Sequence, residues 1–157
     1  MADQAEKFRI LPMRRDDLDA VLAIERAAHR WPWPAQIFIE EFDRSFARVD
    51  LLHGQEGVVA FANYWLMHDE VHILNLATAP DVQRRGHGAT LLGHVIAFAL
   101  RHRARCLVLE VRQSNLPAQS LYQKFGFRPV GIRPHYYVEN QEDAVVMLRE
   151  LVAPAYR

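Results

Sequence analysis

The chain has 157 residues, half of them hydrophobic and 24% charged, and its nineteen basic residues balance nineteen acidic ones. That length suits one domain with a sizeable core, and the charge balance gives no reason to expect nucleic acid or a membrane surface as the main partner. The single cysteine, Cys106, excludes an internal disulfide and fits a reducing compartment; no apolar run approaches the roughly 20 residues of a bilayer span, MADQAEKFR is not a signal peptide, and a cytoplasmic address is expected.

Phe8 to Met13 can form a first strand, and Asp16 is the expected N-cap of a helix carrying Leu18, Val21, Leu22, Glu25 and Ala28 on one face. WPWP (Trp31 to Pro34) breaks that helix with a rigid aromatic elbow, readable either as a hinge tucked into the core or as one wall of a substrate cleft. Helical spacing resumes from Ile37 to about Phe46. Val49 to His53 and Val58 to Met67 around GQEG form a hairpin signal, and His68-Asp69-Glu70 turns the chain into a strand from Val71. A helix follows from His87 to His102, and then CLVLEV (Cys106 to Val111), a continuous apolar run of the kind found in central strands. Residues 71–111 therefore read as a βαβ unit. Ser114 or Asn115 caps a short helix with Ala118, Leu121, Tyr122 and Phe125 inward and Gly126 at its end, and Phe127 to Tyr137 and Asp143 to Leu148 close the chain as paired strands around ENQE.

The stretch NLATAPDVQRRGHGATLL (Asn75 to Leu92) organises this layout. It runs strand, glycine turn, helix start. The first helical turn leaves backbone N–H groups unpaired at the positive end of the helix dipole. Gly86 and Gly88 permit close approach and positive φ, and Arg84 and Arg85 add charge, so the construction suits a phosphate or pyrophosphate. It matches neither GxxxxGK[ST] nor GxGxxG, since Leu91 stands at the third glycine position. A tight turn with its arginines in water is the plainer alternative.

Glu110 lies inside the apolar run, where burial raises a carboxyl pKa; it is either a strand-end glutamate reaching Arg112 or solvent, or a general base. Tyr122 follows on the next helix, as core packing or as a proton donor. The eight histidines show neither HExxH nor Cys/His ligand spacing, so no metal is expected; they are expected in solvent, His72 among them, with His87 set apart by its place in the glycine loop. Cys106, between apolar neighbours, reads as a packed thiol.

Taken together, QRRGHGA, LEVRQSN and LYQKFGF, in that order and spacing, resemble the GNAT superfamily of N-acetyltransferases, over nearly the whole chain from Phe8 to Leu151. Its signature [QR]xxGx[GA] is met by Gln83 to Gly88. AHRWPW and RPHYYVENQEDAVVM narrow the resemblance to the RimI-type subfamily, which acetylates protein N-terminal amines, the type member acting on the N-terminal alanine of a ribosomal protein. The resemblance implies a single-domain α/β fold with a mixed, mostly antiparallel central sheet around the βαβ unit. It implies acetyl-CoA as co-substrate, met by Leu76, Ala77 and Thr78 through strand backbone, by Arg84, Arg85, Gly86, His87, Gly88 and Ala89 at the pyrophosphate, and by Asn115 and Tyr122. It makes Glu110 the base and Tyr122 the acid, with Trp31, Trp33, Tyr136 and Tyr137 against a peptide N-terminus. Thr78 replaces the commoner valine, and Pro134-His135 precede the two tyrosines where the subfamily tends to have more open basic or amide residues. A small-molecule amine as acceptor and a non-catalytic CoA-binding module are the alternatives. A monomer is the expectation, although no residue pattern specifies oligomeric state.

Overall fold

The computed structural model describes residues 7–151. In chain order the elements are β1 (Arg9–Pro12), α1 (Leu18–Ala28), α2 (Ala35–Glu41), β2 (Ala47–Gly54), β3 (Gly57–Met67), β4 (Glu70–Thr78), α3 (His87–Arg101), β5 (Cys106–Arg112), α4 (Leu116–Lys124), β6 (Arg128–Tyr137) and β7 (Glu142–Glu150). The seven strands form a mixed sheet in the order β1-β2-β3-β4-β5-β7-β6. β1 and β2 pair antiparallel, as do β5 with β7 and β6 with β7. β4 and β5 run parallel, with His72 opposite Val108. The βαβ unit expected over 71–111 is therefore present, with α3 as its crossover.

By packing, the described residues divide into two compact units, one comprising residues 7–63 with Asn75–Leu91, the other Tyr64–Leu74 with residues 92–151. In the first, Val21, Leu22 and Ile24 of α1 and Phe38 of α2 cluster with Val49 and Leu51 of β2, Phe61 of β3 and Ala77 of β4. Helical spacing on α1 and alternation on the strands put these side chains on facing surfaces. Phe38 meets Phe61 edge to face at 5.6 Å between centroids, and each such fully buried side chain contributes about 1.5–3 kcal/mol. In the second unit, Leu107, Leu109 and Val111 of β5 and Ala144, Val145 and Met147 of β7 are buried, while β6 is exposed along nearly all its length. Pro129 and Pro134 explain that edge position, because proline cannot donate to a ladder on both sides.

Two local expectations are corrected. Asp16 does not cap α1: residues Arg15–Asp17 form a 3-10 turn, and Asp17 accepts from the Arg14 N–H at 2.8 Å. Gly88 does not need positive φ, since α3 has already begun at His87; the left-handed residues of the loop are Arg84 (φ +66°) and Gly86 (φ +82°).

Candidate active site

The glycine loop is built by a change of element. β4 ends at Thr78, a 3-10 turn covers Pro80–Val82, and α3 starts at His87. Arg84, Arg85 and Gly86 are exposed, and Gly86 anchors the first turn by accepting from Thr90 N at 2.9 Å and Thr90 Oγ1 at 3.0 Å. A Cβ on Gly86 would meet nothing within 4 Å, so its requirement is conformational rather than steric. The His87 side chain turns inward, packed against Phe8 at 5.0 Å between rings; what His87 presents to the loop is its backbone. The exposed Arg84 and Arg85, for which no partner stands among the described residues, lie just before the N-terminus of the fifteen-residue α3, an arrangement that fits a diphosphate.

Glu110 is nearly buried on β5, and its partners are not those the sequence suggests. Oε2 meets His72 Nε2 at 2.6 Å and Oε1 faces Arg133 Nε at 3.7 Å, whereas Arg112 binds Glu139, Asn140 and Glu142 instead. Burial opposes ionisation, but the His72 hydrogen bond and charge, with Arg133, outweigh it and hold the carboxyl below its usual range. The expected rise is thus corrected to a fall. The expectation that the histidines lie in solvent fails at His72, which is bonded to Glu110.

Tyr122 is buried on α4 with its ring edge-on to Phe127 at 5.7 Å, and burial pushes its phenol up to about 12. Asn115 caps α4 as expected, accepting from Ala118 N at 3.2 Å. Its own side chain remains at an exposed position. Gly126 (φ +87°) follows the last cap residue, Phe125. Cys106 is free and buried, and burial raises its thiol pKa, which makes it a packed thiol rather than a nucleophile. Among the described residues no group of three His, Cys, Asp or Glu side chains is placed to hold a metal, and no helix is long and apolar enough to cross a membrane.

The elbow is tied down by Glu25, whose place on the apolar face of α1 gave no sign of its partners. Glu25 is 1% exposed on α1 and accepts from Trp33 N–H at 2.9 Å and from Asn75 Nδ2 at 2.8 Å, with His29 Nε2 at 3.4 Å. A glutamate on the apolar face of α1 and an asparagine on the buried face of β4 were the available signals, since buried polar groups require partners. Trp33 packs on the core at 5.8 Å from Phe38, and Arg30 sits over the Trp31 ring at 4.8 Å.

On β6, Tyr136 is 41% exposed and Arg133 lies 5.6 Å from its ring. Burial and the Glu110 charge raise its phenol. Tyr137 is half-buried with Arg112 stacked 3.9 Å from its ring centre. Pro134-His135 form an irregularity in the ladder, with His135 at φ +52° and its N–H donated to Asp143 at 2.9 Å.

Residues 18–127 match the sequence model of the Acetyltransferase (GNAT) family. The [ribosomal protein bS18]-alanine N-acetyltransferase of Escherichia coli (strain K12) is 35% identical over 140 residues, covering 88% of this chain and 94% of that one. The crystal structure of the Escherichia coli ribosomal-protein-S18-alanine N-acetyltransferase superposes with a TM-score of 0.86 at 32% identity, covering 96% and 99%. A GNAT family acetyltransferase from Elizabethkingia anophelis with acetyl-CoA bound shares the fold, with a TM-score of 0.76 at 21% identity over 92% and 98%. With most of its length matched by the family and a relative at this identity, the chain belongs to the Acetyltransferase (GNAT) family.

Proposed function

We propose that this chain transfers the acetyl group of acetyl-CoA to the N-terminal amine of a protein, with the alanine terminus of ribosomal protein bS18 as its foremost substrate. The observation that carries this reading is the 35% identity to the E. coli bS18-alanine enzyme along 88% of the chain. The chain acts as one catalytic domain, in the cytoplasm where ribosomal proteins are made.

Acetyl-CoA, when bound, supplies a thioester whose carbonyl carbon is open to attack by an amine and whose sulfur leaves as a thiolate. Arg84 to Ala89 hold the diphosphate by charge and backbone N–H groups. Leu76, Ala77 and Thr78 meet the acetyl-pantetheine arm through strand backbone, whose N–H groups stabilise the developing oxyanion. Asn115 touches the cofactor from the start of α4. For the peptide, the residues proposed are Trp31, Trp33, Tyr136 and Tyr137. Glu110 provides the base, and Tyr122, whose high phenol pKa keeps it protonated, delivers a proton to sulfur.

An N-terminus suits such a base. With a pKa near 8, an α-amine is about a tenth free at pH 7, against about 0.04% for a lysine near 10.4. The gap of roughly 2.5 units is about 3.4 kcal/mol that the enzyme need not supply. Incubating the protein with acetyl-CoA and a peptide library varied at the first residue, then locating acetyl groups by mass spectrometry, tests the reading. The α-amine of alanine-first peptides is expected to be modified. Acetyl groups only on small amines, or only on internal lysines, would overturn it.

A further inference from the structure

His72 lies outside QRRGHGA, LEVRQSN and LYQKFGF, yet among the described residues it makes the shortest side-chain contact to Glu110. The register places it there: on the parallel pair β4 and β5, His72 stands opposite Val108, so Glu110 is two residues further along the same face. Both oxygens of Glu110 are engaged, Oε2 by His72 Nε2 at 2.6 Å and Oε1 by Arg133 at 3.7 Å. The Glu110 side chain is 8% exposed, whereas that of His72 is 31% exposed. An ionised carboxylate only accepts, so His72 Nε2 carries the hydrogen, and in the neutral ring Nδ1 carries the lone pair. Among the described residues His72 has no hydrogen bond besides the one at Nε2.

We propose that the base of this enzyme is the His72–Glu110 pair, in which His72 Nδ1 is the atom that takes the proton from the amine and Glu110 fixes the ring and balances the imidazolium charge. This rests on the N-α-acetyltransferase reading above and moves the proton-accepting atom from the Glu110 carboxylate to the ring it holds. The substrate nitrogen enters as an ammonium and must lose two protons. The first N–H bond breaks before attack; its proton goes to Nδ1 and then to solvent. The freed electron pair forms the C–N bond as the C–S bond breaks, and the second proton ends on sulfur. A free imidazole lone pair suits the first step better than a carboxylate whose two oxygens are already engaged by His72 and Arg133. The charged and titratable groups around the pair are Arg133 and Tyr136 of β6, the latter sensing the Glu110 charge, and on β4 itself Glu70, which is occupied by Arg105 at 2.8 Å.

The test is steady-state kinetics of the full chain on an alanine-first peptide with acetyl-CoA, for wild type, His72→Gln, His72→Asn and Glu110→Gln, each checked for folding by circular dichroism and for CoA affinity by calorimetry. At pH 7, His72→Gln and His72→Asn are expected to lower kcat about 100-fold, with CoA affinity unchanged. At pH 9.5 the amine is already free, so the defect should shrink to within about threefold, and added imidazole should restore part of the rate at pH 7. A His72→Gln rate equal to wild type at pH 7, with Glu110→Gln impaired, would overturn the dyad while leaving Glu110 as base. A defect in His72→Gln of the same size at both pH values, without imidazole rescue, marks a structural role and overturns the proposal too. Failure of the wild type to acetylate any α-amine would remove the function reading itself.

Discussion

Tyr122 is a packing residue to which the proposed mechanism also gives chemistry. Its ring is buried against Phe127, and that same burial holds the phenol protonated up to about pH 12. A group that stays protonated is available as the donor to the leaving thiolate in the proposed mechanism. Tyr122→Phe keeps the ring and removes only the hydroxyl. It should therefore lower kcat by tenfold or more while the thermal midpoint moves little; wild-type turnover in that variant would leave Tyr122 as a packing residue alone. Glu110 was legible as chemically unusual, because a carboxylate inside CLVLEV needs a partner. The identity of that partner was not legible. Nothing in the sequence within a dozen residues distinguishes His72 and Arg133 from Arg112, which the fold instead commits to Glu139 and Glu142.

At the scale of elements, the loop between β4 and α3 was the most readable part of the chain. Glycine at the end of a polar turn and a helical pattern just after it are local signals, and they put the helix start within the expected stretch. Gly86→Val forces a β-branched side chain to φ +82°, costing about 1–2 kcal/mol. Since no atom stands within 4 Å of the new Cβ, the fold should survive while CoA binding is lost. Calorimetric titration with CoA and a urea melt check the two halves of that statement, and tight binding in a folded variant would contradict the loop's role. The elbow after α1 depends on a different kind of support. Glu25→Ala removes the acceptor for Trp33 N–H and for the Asn75 amide in a buried setting, so about 3 kcal/mol of stability should go with it. Urea denaturation measures this loss, and a change below about 1 kcal/mol would show that water replaces the carboxyl.

For the whole molecule, acid sensitivity should trace to the strands that close the chain. Glu142 receives the Ser114 N–H at 2.8 Å and pairs with Arg112 at 3.1 Å. The Ser114 hydrogen bonds, ahead of Arg112 and Asn140, lower its carboxyl from 4.5 to about 2. A depressed folded-state pKa means stabilisation that is present above about pH 4.5 and lost as pH falls through about 2. Urea midpoints followed from pH 6 to pH 2 should fall less steeply in Glu142→Gln than in wild type, and parallel curves would refute the assignment.

By itself the sequence determined what short-range physics encodes: the apolar periodicity of α1 and α3, the cap at Asn115, the turn at Gly126, the glycine loop, and the motif spacing that tied the chain to acetyl transfer. It also held clues that need the whole chain to read, such as the prolines that confine β6 to an edge. Only the tertiary structure decided that β7 enters between β5 and β6, that Glu25 is answered by Asn75 fifty residues away, and that Glu110 is answered by His72 at a separation of 38 residues. The physical reason is one of range. Backbone preference and amphipathic spacing act over a few residues, whereas the partner of a buried charge is whichever strand the sheet lays beside it.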